Sequence, residues 1–150
     1  MAEHEKWIEQ ALIEAEKAYK REEVPVGAVV VFENKIVGRG YNLTETLQDP
    51  TAHAEILAIT AAANSLASWR LNDTSIYVTL EPCTMCAGAI ILSRISKVIF
   101  GAPDPRMGAA GSVINVFSNP DLNANVDVVG GILQDECEGI LKSFFENLRK

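Results

Sequence analysis

Trp7, Ile8, Ala11, Leu12, Ala15, Ala18 and Tyr19 recur three and four residues apart with charge on the opposite face, a pattern that predicts an amphipathic helix. A β-branched run from Val26 to Phe32 predicts a strand, Glu33-Asn34-Lys35 a turn, and Ile36 to Tyr41 the hairpin partner. From Asn42 to Thr51 no period persists. Apolar spacing resumes after His53 with Ile56-Leu57-Ala58-Ile59 and predicts a helix ending near Leu66 to Ser68. Beyond it the pattern predicts a strand at Ser75 to Leu80, a helix from Cys83 to Leu92, a strand at Lys97 to Phe100, a short fifth strand at Val126 to Val129 and a closing helix from Asp135 to Leu148. Strands alternating with helices predict an α/β architecture. No repeat, linker or low-complexity tract interrupts it, so one domain is expected over residues 1–150.

Two of these helices begin with metal-binding side chains. His53 opens one, and Cys83 and Cys86 are spaced to lie side by side on the first turn of another, so both sulfurs can reach one ion. Pro82 fixes the backbone before that turn. The count of ligands is three, which is the count of a catalytic zinc that keeps its fourth position for water; a structural zinc is normally closed by four. Glu55 stands two residues from His53, and residues two apart do not share a helix face. It is therefore better placed beside a bound water, as a proton acceptor and donor, than on the metal. Two plainer readings stay open: a structural site with Cys137 as fourth ligand, and Glu55 as a solvated helix carboxylate.

Composition narrows the setting. The 48% hydrophobic content of the 150 residues is enough for a core. No apolar run approaches the roughly 18 residues of a membrane span, and Met1-Ala2-Glu3-His4-Glu5 lacks the basic and apolar regions of a secretory leader. Three cysteines, two of them committed to metal, imply a reducing compartment without a disulfide framework, so a cytoplasmic location is expected. The segment Gly101 to Ser112 is dense in glycine and proline and predicts a shaped loop or a plain connector.

Asp49-Pro-Thr-Ala-His53-Ala-Glu55-Ile, Leu80-Glu-Pro-Cys83-Thr-Met-Cys86-Ala-Gly, the loop Gly101-Ala-x-Asp104-x-Arg106-x-Gly108-Ala-x-Gly111-Ser112 and the terminal Phe144-Phe145 together resemble the bacterial tRNA-specific adenosine deaminases, from Trp7 to Arg149. The metal motif is shared across the cytidine-deaminase-like superfamily and specifies deamination but not the substrate; the loop and the aromatic pair are much more specific to the tRNA branch. The resemblance implies a three-layer α/β/α cytidine-deaminase-like fold with a central mixed five-stranded sheet. It implies one Zn2+ per subunit on His53, Cys83 and Cys86, with Glu55 as proton shuttle. It also implies that Asn42 holds the target nucleoside, that Asp104 and Arg106 contact flanking nucleotides, and that Phe144 and Phe145 close around the anticodon loop. Where relatives usually carry lysine, Arg106 keeps the charge and adds a fork that grips phosphate.

The implied reaction is hydrolytic deamination of adenosine to inosine at the wobble position of a transfer RNA by zinc-activated water, with the anticodon stem-loop as partner, no membrane, and a homodimer as the working form. Charge departs from this expectation: a net charge of −7 is unfavourable for a polyanion. Residues 83–120 carry Arg94, Lys97 and Arg106 against Asp104, 3 − 1 = +2, so a local basic face remains and weaker RNA affinity is expected. The alternatives are a deaminase of free guanine, cytosine or cytidine, which suits an acidic surface, and a non-enzymatic zinc module.

Overall fold

A computed structural model describes residues 2–122 and 125–148; Arg149, where the resemblance ends, lies outside them. Helix α1, Ala2–Lys20, buries Trp7, Ile8, Ala11, Ala15 and Ala18, the face that the periodicity predicts. Strands β1, Gly27–Phe32, and β2, Lys35–Tyr41, form the expected hairpin. Glu33 and Asn34 both take positive φ, 51° and 61°, the two-residue turn whose twist matches that of its strands.

The unpatterned stretch after the hairpin hides one short helix, α2, Thr44–Leu47. Then follow α3, Ala54–Leu66; β3, Thr74–Leu80; α4, Thr84–Leu92; β4, Lys97–Ala102; β5, Asp127–Val129; and α5, Gln134–Leu148. The sheet order is β2-β1-β3-β4-β5, with β1 antiparallel to β2 and β3, and β3, β4 and β5 mutually parallel. The sheet is therefore mixed and five-stranded.

Alternation along the central strands builds two cores. Ala28, Val30, Ile76, Val78, Val98 and Phe100 face one side and pack with Ala54, Ala58 and Ala62 of α3 and Ala87 and Ile90 of α4. Val29, Val31, Tyr77 and Ile99 face the other, against Trp7 and Ile8 of α1 and Cys137 of α5. Three layers result, as expected. The first layer sits unusually close: a Cβ at Gly38 would lie 2.3 Å from the Ala58 carbonyl oxygen, and one at Gly40 would lie 2.4 Å from that of Ala54. Glycine on the strand and alanine on the helix let the two backbones touch, which fixes the depth at which α3 presents its N-terminus.

A buried carboxylate holds α2. Glu23 accepts N–H bonds from Glu45 (3.1 Å) and Thr46 (2.6 Å), satisfying donors that a helix start leaves orphaned. Burial raises the Glu23 pKa, but hydrogen bonds from Thr46, Glu45 and Thr44 outweigh it and hold the carboxyl below its ordinary value near 4.5. A depressed folded pKa contributes stability that is complete above the ordinary value and lost as pH falls through the folded one. Glu23→Gln is expected to cost about 1–3 kcal/mol, the range for leaving buried donors without a charged acceptor. In urea titrations the gap between the two proteins should be constant near neutral pH and shrink on acidification below 4.5; a gap that widens there would contradict the assignment.

Candidate active site

His53 and Cys83 occupy equivalent places. Each is the N-cap of its helix, His53 of α3 (φ −78°, ψ 153°) and Cys83 of α4 (φ −77°, ψ 177°), and neither caps its helix through its side chain. N-caps are normally Ser, Thr, Asp or Asn, whose oxygens satisfy the first N–H groups. Using the position for imidazole and thiol gives up that stabilisation and frees both side chains to point at a common centre.

The His53 Nδ1 lies 3.6 Å from the Cys83 Sγ and 3.5 Å from the Cys86 Sγ, and the three donor atoms all lie within 4.8 Å of one another. A tetrahedral zinc with Zn–N about 2.0–2.1 Å and Zn–S about 2.3 Å has N···S edges of about 3.5–3.6 Å. The donor set therefore fits that metal in both chemistry and spacing. Without a metal the thiols divide their proton unequally. Cys83 is pulled down to about 4, first by its hydrogen bond with Cys86, against the opposing effect of burial, and further by His53. Cys86 is pushed up by the same bond with Cys83 and by burial. A metal ion overrides this division, since a coordinating thiol is deprotonated outright.

The structural four-ligand reading fails on position. Cys137 belongs to the core on the other face of the sheet, where a Cβ on Gly101 would come within 2.2 Å of its Sγ. The solvated-carboxylate reading of Glu55 fails as well, because the residue is only 4% exposed. Burial is the main cause that pushes its carboxyl up to about 7.

A cavity of about 300 Å3 opens above these groups, and Asn42, His53, Glu55, Cys83 and Asp104 all line it, with Val24, Val26 and Leu80 supplying apolar wall. Asn42 is held by two long bonds: its Nδ2 donates to the Val24 carbonyl, and its Oδ1 accepts from the Thr44 N–H, each at 3.4 Å. Both are longer than an ordinary N–H···O bond. Asp104 Oδ1 accepts from the N–H groups of Arg106 (3.0 Å) and Met107 (3.2 Å), closing a tight turn that sends Arg106 out to solvent. Phe144 and Phe145 do not reach the cavity. They line a neighbouring groove that shares Val24 and Thr44 with it. Phe144 is 6% exposed and packs edge-on against Tyr19, whereas Phe145 is 44% exposed.

Two participants escape the sequence pattern. Met107 lines the cavity from the loop side. Glu81, buried between Leu80 and Pro82, lines it as well and accepts N–H bonds from Asp104 (3.0 Å), Ala110 (2.9 Å) and Ser112 (3.1 Å), together with the Ser112 hydroxyl. Burial raises its pKa, but these bonds outweigh it and hold the carboxyl below its ordinary value. The available signal is a lone carboxylate ending an apolar strand opposite a loop with surplus donors.

The MafB19-like deaminase family matches residues 2–149. The tRNA-specific adenosine deaminase of Bacillus subtilis (strain 168) is 47% identical over 150 residues, covering 100% of this chain and 93% of that protein. The chain belongs to the tRNA-specific adenosine deaminases. A solved structure from work on A-to-I editing by tRNA:A34 deaminases at the wobble position superposes at a TM-score of 0.87 with 45% identity, covering 91% of this chain and 99% of that one. A guanine deaminase from Bacillus subtilis shares the core less completely, at a TM-score of 0.64 and 37% identity over 67% of this chain and 64% of that one. In this tRNA-specific adenosine deaminase, the donor cluster lies at the starts of α3 and α4.

Proposed function

We propose that the protein, as a single deaminase domain, converts adenosine to inosine at the wobble position (34) of a transfer RNA, with one zinc ion on His53, Cys83 and Cys86. The carrying observation is the clustering of those three donors at a cavity that His53, Cys83 and the buried Glu55 line together with Asn42 and Asp104. When bound, zinc supplies Lewis-acid activation of a water near neutral pH. Asn42 exchanges its long internal bonds for the nucleoside, and the apolar wall of Val24, Val26 and Leu80 excludes bulk water from the ring. Glu55 accepts one proton of the attacking water and delivers it to N1, then takes the remaining proton from the new C6 hydroxyl and passes it to the departing amine. The C6–O bond forms, the C6–N bond breaks, and ammonia leaves.

The cavity fits one base, so RNA recognition falls to its rim. Asp104 and Arg106 hold flanking nucleotides, and the Phe144–Phe145 groove, sharing Val24 and Thr44 with the cavity, receives the loop. Phe145 is the exposed member and offers the stacking face; Phe144 supports it edge-on, their ring centroids 5.4 Å apart. A homodimer completes the assembly through the α3–α4 face, where Trp69, Leu92 and Leu122 line an exposed apolar groove of about 660 Å3. No helix among the described residues is long and apolar enough to cross a membrane, and a bacterial transfer-RNA substrate supports the cytoplasmic reading.

A stem-loop with adenosine at the wobble position, assayed beside free adenosine, guanine, cytosine and cytidine, tests this. Inosine in the stem-loop with little turnover of the free compounds is expected. Efficient turnover of a free base or nucleoside without RNA product would favour the reading as a deaminase of free guanine, cytosine or cytidine, which the acidic net charge of −7 also suits. Arg106→Ala should weaken stem-loop binding and reduce the salt slope by about one unit per lost phosphate contact; an unchanged slope would remove Arg106 from the RNA interface.

A further inference from the structure

The loop that follows β4 is anchored to the end of β3 by one carboxylate outside the metal cluster. All four bonds given to Glu81 come from this loop: the N–H groups of Asp104, Ala110 and Ser112, and the Ser112 hydroxyl. The fit leaves no slack, because a Cβ at Gly108 would lie 2.5 Å from both the Glu81 carboxyl carbon and its Oε2. The backbone around Glu81 is tied at the same place. Its own N–H donates to the Ala102 carbonyl at 2.8 Å, and the Pro82 carbonyl accepts from the Ala109 N–H at 2.9 Å. Cys83 follows immediately.

Burying a carboxylate is costly unless its lone pairs are all used, and packing alone would be served by an apolar residue. Here the lone pairs are spent on one loop, from the strand end that also carries a metal donor. We propose that Glu81 is a positioning residue for substrate, setting Asp104 and Arg106 at a fixed offset from the metal cluster so that the nucleotides beside the target base are gripped when the base is seated. This rests on the reading of the 104–112 loop as an RNA contact. The residue touches no reacting atom in this role. Its effect travels through the loop and falls on substrate binding.

Glu81→Gln tests the role because glutamine keeps the shape while turning one oxygen into an N–H2 group that faces donors. For the wobble-adenosine stem-loop, KM should rise about tenfold or more, the size expected when hydrogen bonds to a charged acceptor are lost. The kcat should change less than threefold by the same reasoning, and one zinc per chain should remain. Ser112→Ala removes one bond from an exposed residue and leaves the backbone donors in place, so it folds even if Glu81→Gln does not; its KM should rise a few-fold in the same direction. A collapse of kcat at constant KM would put Glu81 in the chemistry, loss of zinc would make it a support for the donors, and unchanged KM in Ser112→Ala would remove the loop effect; each overturns the proposal. Arg106→Ala separates the two levels. If it raises KM while Glu81→Gln does not, only the positioning role fails; if neither does, the RNA reading of the loop fails with it.

Discussion

Glu55→Gln is expected to keep one metal per chain and to lose deamination by about a thousandfold or more, within the range that a positioned proton-transfer group contributes. Glu55 is absent from the donor group formed by His53, Cys83 and Cys86, yet it lines the same cavity and is 4% exposed. An amide of the same shape preserves the wall and removes the proton acceptor. The variant should also melt at the same temperature as the parent or higher, because a carboxylate buried for catalysis costs stability and its replacement relieves that cost. Glu55→Ala should behave alike in metal content and activity. Metal analysis, a stem-loop turnover assay and a thermal melt decide the matter together. Turnover within tenfold of the parent, or a folded variant without metal, would show that Glu55 has been misassigned.

The parts of the molecule that depend on nearest neighbours were legible in the sequence. Trp7, Ile8 and Ala11 announce α1 by their spacing, and the hairpin is announced by a β-branched run that turns at Glu33-Asn34. Cys83 and Cys86 show their shared target because a helix turn brings them together whatever the rest of the chain does. What stayed hidden depends on partners distant in sequence. The helix α2 has no apolar period and forms on Glu23, more than twenty residues earlier. The last two residues of β4, Gly101 and Ala102, look like loop because glycine is poor in strands, but Gly101 is required where α5 presses Cys137 against the sheet.

Function was legible to the same depth. The Cys83–Cys86 pair follows from local spacing and His53 from the motif it shares with them, whereas Glu81 becomes visible only when the loop donors arrive from thirty residues away. The aromatic pair on α5 shows the limit most plainly. Adjacent residues of a helix point in different directions, so Phe144 goes into the interface with Tyr19 while Phe145 faces the groove. The sequence shows two rings and is silent about which one is exposed.

Cys83→Ala and Cys86→Ala are expected to lose zinc, activity and thermal stability together, while Cys137→Ala keeps all but a packing loss of about 1 kcal/mol. A metal held by His53, Cys83 and Cys86 would tie the start of α3 to that of α4, so the energy of binding would also be energy of folding. If free zinc stands a thousandfold above its dissociation constant, that link contributes about 4 kcal/mol, roughly 8 to 16 °C of melting temperature for a chain of this size. The two cysteines should differ in degree. Cys83 is partly exposed and its loss removes only the ligand, whereas Cys86 is fully buried and its loss also leaves a void in the core. A chelator supplies the control, since removing zinc from the parent takes away the same link as Cys83→Ala. Chelated parent and Cys83→Ala should melt together, and Cys83→Ala should not respond to the chelator. Zinc retained in Cys83→Ala, or released in Cys137→Ala, would mean that the three-donor cluster has been drawn around the wrong sulfurs.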